Sequence, residues 1–124
     1  MREFGELEAT VMKLVWSRGE PVTVRAIAEQ LNETRPLAYT TVSTIVERLR
    51  AKGVLTRVRV GRSFQYAAVQ SADAHTARLL SEALRSAASP SAVFLHFAEQ
   101  LDHDDAVALR AALDQRSADT AGHA

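Results

Sequence analysis

The 124-residue sequence predicts a mainly α-helical fold with one small β-hairpin. Three observations lead there. Apolar residues recur at helical spacing in three successive stretches before Gly53. The period then changes to two between Leu55 and Val69. Beyond Val69, 15 of the last 54 residues are alanine and the helical period returns.

The first stripe is Leu7, Val11, Leu14 and Val15, flanked by Met12 and Trp16, and it stops near Ser17-Arg18-Gly19. Val22-Thr23-Val24 reads as a short strand or, through Thr23, as a helix N-cap. A second stripe follows it, Val24, Ile27, Ala28 and Leu31, with Pro36 punctuating the connection. The third helix is expected from about Ala38 to Lys52 on Val42, Ile45, Val46 and Leu49. Gly53 stops it, and Arg50 and Lys52 suit the negative end of its dipole. Thr56, Val58 and Val60 then alternate with Leu55, Arg57 and Arg59, and Phe64, Tyr66 and Ala68 with Gln65, Ala67 and Val69. Gly61-Arg62-Ser63 lies between them, so these are two strands of a hairpin. Three helices and a hairpin in residues 1–70 spell a winged helix-turn-helix.

Three more helices are expected over residues 71–116. Ser71 caps one carrying Leu80, Ala83, Leu84 and Ala87. Ser89-Pro90, a cap followed by proline at the first helical position, opens one with Phe94, Phe97, Ala98 and Leu101. Asp102 caps the last, with Asp104 and Asp105 at its positive end and Ala106, Leu109 and Leu113 as its stripe. Three short helices bury little surface alone, so a second copy of the chain is expected against them. Leu80, Leu84, Phe94, Phe97, Leu101, Leu109 and Leu113 are the expected dimerisation residues. Residues 117–124 are small and polar and read as a flexible tail.

Composition narrows the function. The chain has no cysteine, which excludes disulfides, thiol catalysis and cysteine-based metal sensing. It shows neither a membrane-spanning apolar run nor a signal-peptide pattern, so a cytoplasmic protein without membrane insertion is expected. Net charge is zero but unevenly spread: residues 1–70 carry 11 Lys+Arg against 7 Asp+Glu, and residues 71–124 carry 4 against 8. From Arg35 to Arg62 seven basic residues face only Glu47, a field suited to a phosphate backbone.

The face of the third helix opposite its apolar stripe holds Thr40, Ser43, Thr44, Glu47 and Ala51, with Thr41 and Arg48 on the flank. An exposed threonine costs helix propensity, so this cluster wants a reason. Short hydroxyl side chains let a helix lie deep in a major groove and bond base edges or phosphates. The plainer alternative has Thr40 and Thr41 satisfying amides at the helix start. Arg62, at the hairpin tip, reaches phosphate or minor groove, or else discourages edge pairing. That second role suits Arg57 better, and Trp16 is read as packing against the hairpin. With Tyr39 opening the same helix, the expected DNA-contact set is Tyr39, Thr40, Thr41, Ser43, Thr44, Arg48 and Arg62. His75, His96, His103 and His123 lack ligand spacing, and cap chemistry accounts for the aspartates around His103. No nucleophile–base pair or phosphate-cradling glycine loop stands out, so neither an enzyme, a metal site nor a cofactor is expected.

Several of these residues fall into one pattern: Leu7-Glu8, Val11-Met12 and Trp16, Thr23-Val24-Arg25, Ala38-Tyr39-Thr40-Thr41-Val42, Arg48-Leu49, Lys52-Gly53, Gly61-Arg62 and Tyr66. Together they resemble the penicillinase repressor (BlaI/MecI) family, closely in the first half and more loosely to about residue 115. The resemblance implies a dimeric winged-helix repressor on an inverted-repeat, double-stranded DNA operator, with Thr40, Thr41, Ser43 and Thr44 toward the groove. In antibiotic-responsive members a membrane-bound receptor senses a β-lactam and triggers cleavage of the repressor in its dimerisation region. The corresponding bond here is His96–Phe97, where the phenylalanine matches the family and the histidine replaces an asparagine. Ala38 stands where some relatives place a capping serine or threonine. Two other functions fit the same fold: a regulator released from DNA by a small ligand, and a winged-helix protein–protein module.

Overall fold

In the computed structural model, residues 4–34 and 36–122 are described. They form α1 (Glu6–Arg18), α2 (Val24–Asn32), α3 (Tyr39–Ala51), β1 (Leu55–Val60), β2 (Ser63–Ala68), α4 (Ala72–Arg85), α5 (Pro90–Gln100) and α6 (His103–Gly122). The chain divides into two compact units, Met1–Ala77 and Arg78–Ala124, with α4 running from one into the other.

The first unit is a winged helix-turn-helix. Its core takes Val11, Met12, Leu14 and Val15 from α1, Val24, Ile27, Ala28 and Leu31 from α2, and Val42, Ile45, Val46 and Leu49 from α3. Each set repeats at three- and four-residue steps, so each helix presents one stripe inward. Gly19 ends α1 in the left-handed region at φ 68°, a conformation that costs other residues. The Val22–Val24 stretch meets both readings. Val22 pairs with Tyr66 through two backbone hydrogen bonds of 2.8 and 2.7 Å, and the Thr23 hydroxyl caps α2 by accepting from Ala26 N at 3.1 Å.

The hairpin is antiparallel, from Leu55↔Ala68 out to Val60↔Ser63, and Gly61-Arg62 forms its turn. Gly61 at φ 63° supplies the positive dihedral that a tight hairpin turn requires. Only the base of the hairpin reaches the core, where Leu55 and Tyr66 are buried. Val58 and Val60 point to the open face and stay exposed.

Trp16 is half-buried, and its Nε1 donates to Gln70 O at 2.9 Å just beyond the end of β2. His75, in the first turns of α4, is buried. It stacks on Phe4 at 5.1 Å and tilts against Trp16 at 5.4 Å. The cap of α4 is Ser71, whose hydroxyl accepts from Ala74 N at 3.1 Å.

In the second unit Ser89 Oγ caps α5 from 3.4 Å, with Pro90 at the first helical position, and Asp102 Oδ1 accepts from Asp105 N at 2.8 Å ahead of α6. Among its described residues no side chain is buried. The apolar stripe of α5 is uncovered: Phe94 is 53% and Phe97 41% exposed. Helix α6 continues past residue 116 to Gly122, through the segment expected as a tail. Residues 117–121 hold no glycine or proline to stop it, and Gln115 bonds Asp119 across one turn.

Candidate nucleic-acid interface

Helix α3 begins at Tyr39 because Pro36 disfavours helix before it and Leu37 N is held by Asn32 Oδ1 at 3.0 Å. No side chain caps α3, since Ala38 has none to offer. The threonines do not fill that role, so the plainer account of Thr40 and Thr41 loses its support. Tyr39, Thr40, Thr41, Thr44 and Arg48 are exposed and Ser43 is half-buried. The Thr44 hydroxyl donates to Thr40 O at 2.9 Å. Tyr39 and Ser43, one turn apart, line a cleft of about 540 Å³ between α3 and the wing. Arg62 and Phe64 close it from the hairpin, and Thr23 and Arg25 from the start of α2.

The fold thus brings Tyr39, Ser43 and Arg62 together, while Thr40, Thr41, Thr44 and Arg48 stand outside the cleft on the rest of the helix surface. Arg25 and Thr23 join them without having been expected as site residues. Their sequence signals are the family pattern Thr23-Val24-Arg25 and the place of Arg25, off the α2 stripe in the first turn of that helix.

The basic stretch is less available than its count implies. Glu47 pairs with Arg50 at 3.0 Å and Arg57 at 3.2 Å, and Glu8 pairs with Lys52 at 2.7 Å. Arg57 also lies 4.2 Å over the Phe64 ring, and Arg59 Nε donates to Gly61 O at 3.1 Å. Arg35 lies outside the described residues. Among those described, Arg25, Arg48, Arg59 and Arg62 form no ion pair, so cationic charge remains at the cleft, on the α3 surface and along the wing. Bonds from Arg50 and Tyr66 hold the Glu47 carboxyl below its ordinary range. Burial, with the bond to Glu47, pushes the Tyr66 phenol up.

The expected dimerisation residues divide similarly. Leu80, Leu84, Phe94, Phe97 and Leu109 line an apolar cavity of about 290 Å³ within the second unit, together with Val93. Leu101 terminates α5 and Leu113 is exposed further along α6. The His96–Phe97 bond lies in mid-α5, and the His96 side chain is 77% exposed, 3.9 Å from Glu99. Both residues are exposed on this helix, so the described part of the chain does not bury the bond. Among the described residues no group of three His, Cys, Asp or Glu side chains is placed to hold a metal. No helix among them is long and apolar enough to cross a membrane.

A recognition helix and an arginine-tipped wing framing one cationic cleft define a winged-helix DNA-binding regulator. Relatives agree. A family model for the penicillinase repressor matches residues 4–115. Transcriptional regulator BlaI of Mycobacterium tuberculosis is 41% identical over 121 residues, covering 95% of this chain and 88% of that protein. Among solved structures, the DNA-binding domain of the repressor BlaI superposes with a TM-score of 0.51 at 26% identity, covering 56% of this chain and 84% of that one. The monomeric form of Bacillus licheniformis BlaI, in complex with the blaP half-operator, gives 0.50 at 25% identity over 58% of this chain and 87% of that one. This chain belongs to the penicillinase repressor family, whose members are transcriptional regulators and not enzymes.

Proposed function

We propose that this protein is a homodimeric, cytoplasmic repressor that seats one winged helix on each half of an inverted-repeat operator controlling β-lactamase or other antibiotic-resistance genes. The observation that carries this reading is the cleft in which Tyr39 and Ser43 of α3 meet Arg62 of the wing and Arg25 of α2. The solved relative on a half-operator supports it. Tyr39, Thr40, Thr41, Ser43, Thr44 and Arg48 present the α3 surface to the major groove, and Arg62 takes phosphate or minor groove.

Dimerisation uses the uncovered face around Phe94 and Phe97. Every side chain lining the cavity there is apolar, so nothing in it would orient a polar ligand, which favours a second copy over a small effector. Relief of repression follows cleavage at His96–Phe97 by a membrane-bound sensor or a protease it activates. The cut divides α5 and separates the dimerisation residues on either side of it. Two winged helices then bind independently, without the affinity that linkage supplies.

Footprinting of the full-length protein on the DNA upstream of its own gene tests the operator, with a two-fold symmetric footprint expected. Mass spectrometry of the repressor from induced cells tests its removal. A chain that stays intact during full derepression would overturn the proteolytic step.

A further inference from the structure

Glu47 is an anion in a basic stretch, on the helix that carries the proposed contact face. Beside phosphates its charge is unfavourable, so electrostatics alone gives no reason for it. The geometry does. Its Oε1 accepts from Tyr66 Oη at 2.8 Å and from Arg57 Nη1 at 3.2 Å, both on the wing. Its Oε2 accepts from Arg50 Nε at 3.1 Å and Nη2 at 3.0 Å, within α3 itself. Four donors on two oxygens use the acceptor capacity of a carboxylate, leaving none for the exocyclic amine of a base. Arg57 is held a second time by the Phe64 ring. The base of the wing is tied by the Val22–Tyr66 pairing and by Val69 N to Val54 O at 3.0 Å. The Glu47 bonds are made at the same rung, Arg57↔Tyr66, and tie the wing through its side chains to α3, the helix of the proposed contact face.

We propose that Glu47 is a positioning and specificity-determining residue, which withholds Arg50 and Arg57 from indiscriminate phosphate binding and pins the wing to α3. This rests on the operator-binding reading above. One consequence separates it from a simple charge effect. Were Glu47 only a repulsive charge, its removal would raise affinity for every duplex alike. As a withholding and positioning group, its removal lowers the operator's advantage, because the released arginines take phosphate on any duplex while the operator alone also loses the alignment of the wing.

The test compares the full-length wild type, Glu47→Gln and Tyr66→Phe across a salt series. The probes are the duplex that the wild type enriches from a random-sequence pool and a scrambled duplex of the same composition. Glutamine keeps an acceptor for Tyr66 and loses the charge that holds Arg57, whereas Tyr66→Phe keeps both arginine pairs and loses the shorter of the two wing bonds. For Glu47→Gln we expect a steeper salt dependence on the scrambled duplex, by about 1 to 2 in log–log slope. Its selected-to-scrambled affinity ratio should fall by about tenfold, the order of one lost base contact. Tyr66→Phe should weaken the selected duplex and leave the scrambled slope unchanged. Equal shifts on both duplexes, or an unchanged ratio in Glu47→Gln, would overturn the inference while a discriminating wild type upholds operator binding. A wild type that enriches no sequence overturns both.

Discussion

Ser43 and Thr44 are neighbours on α3 with different surroundings. Ser43 is half-buried beside the wing, whereas Thr44 is exposed, with its hydroxyl proton already given to Thr40 O. As proposed base readers, they should show their loss as lost discrimination. Replacing both with alanine is expected to cost about 1–3 kcal/mol per base contact on the operator and little on random DNA, measured by competition binding. Arg62→Ala should instead weaken all duplexes together and lower the salt slope by about 1. The Glu47 network carries a pH signature. Its carboxyl is depressed below the ordinary value of 4.5 by Arg50 and Tyr66, so the stabilisation is fully present above that value. It is lost as pH falls through the lower, folded-state value. Urea midpoints of the wild type and Glu47→Gln should therefore differ at neutral pH and converge only below pH 4.5.

At the level of elements, the helix starts give a paired prediction. Thr23 caps α2 and Ala38 leaves α3 uncapped. Thr23→Ala should destabilise the first unit by about 1 kcal/mol, and Ala38→Ser should stabilise it by about 0.5–1 kcal/mol, both read from urea unfolding. If Ala38→Ser weakens operator binding while adding stability, the open amides at the start of α3 serve DNA. The hairpin shows where element-level reading stops. Alternation revealed two strands and a turn, but not which face turns inward. Valines 58 and 60 would be the obvious inward set, yet Leu55 and Tyr66 take the core and the valines face outward. The wing projects, so only its base has a core to reach, and the register of the base decides the face for the whole strand.

For the whole molecule, the two units differ in what they can do alone. The first has a closed core drawn from α1, α2, α3 and the hairpin, whereas the second buries no described side chain. A chain ending at Ala77 should fold cooperatively and sediment as a monomer, with operator affinity reduced by two or more orders of magnitude as the half-site contacts become independent. A truncated chain that remains dimeric would place the interface in the winged helix instead.

The features legible in the sequence are those whose causes are local. Thr23, Ser71, Ser89 and Asp102 each cap amides three residues away, and the apolar stripes of the first three helices recur within a single turn. Short-range rules therefore located the elements, and the hydroxyl-rich surface of α3 marked the proposed reading helix. Other features depend on segments distant in sequence meeting in space. Trp16 finds Gln70 across 54 residues, Glu47 finds Tyr66 across 19, and Arg25 and Arg62 line one cleft only because α2 and the wing flank the same helix. Counting charges from Arg35 to Arg62 could not show that Glu47 and Glu8 hold three of those cations in ion pairs. Charge composition is additive along the chain, whereas pairing depends on which side chains the core brings within bonding distance.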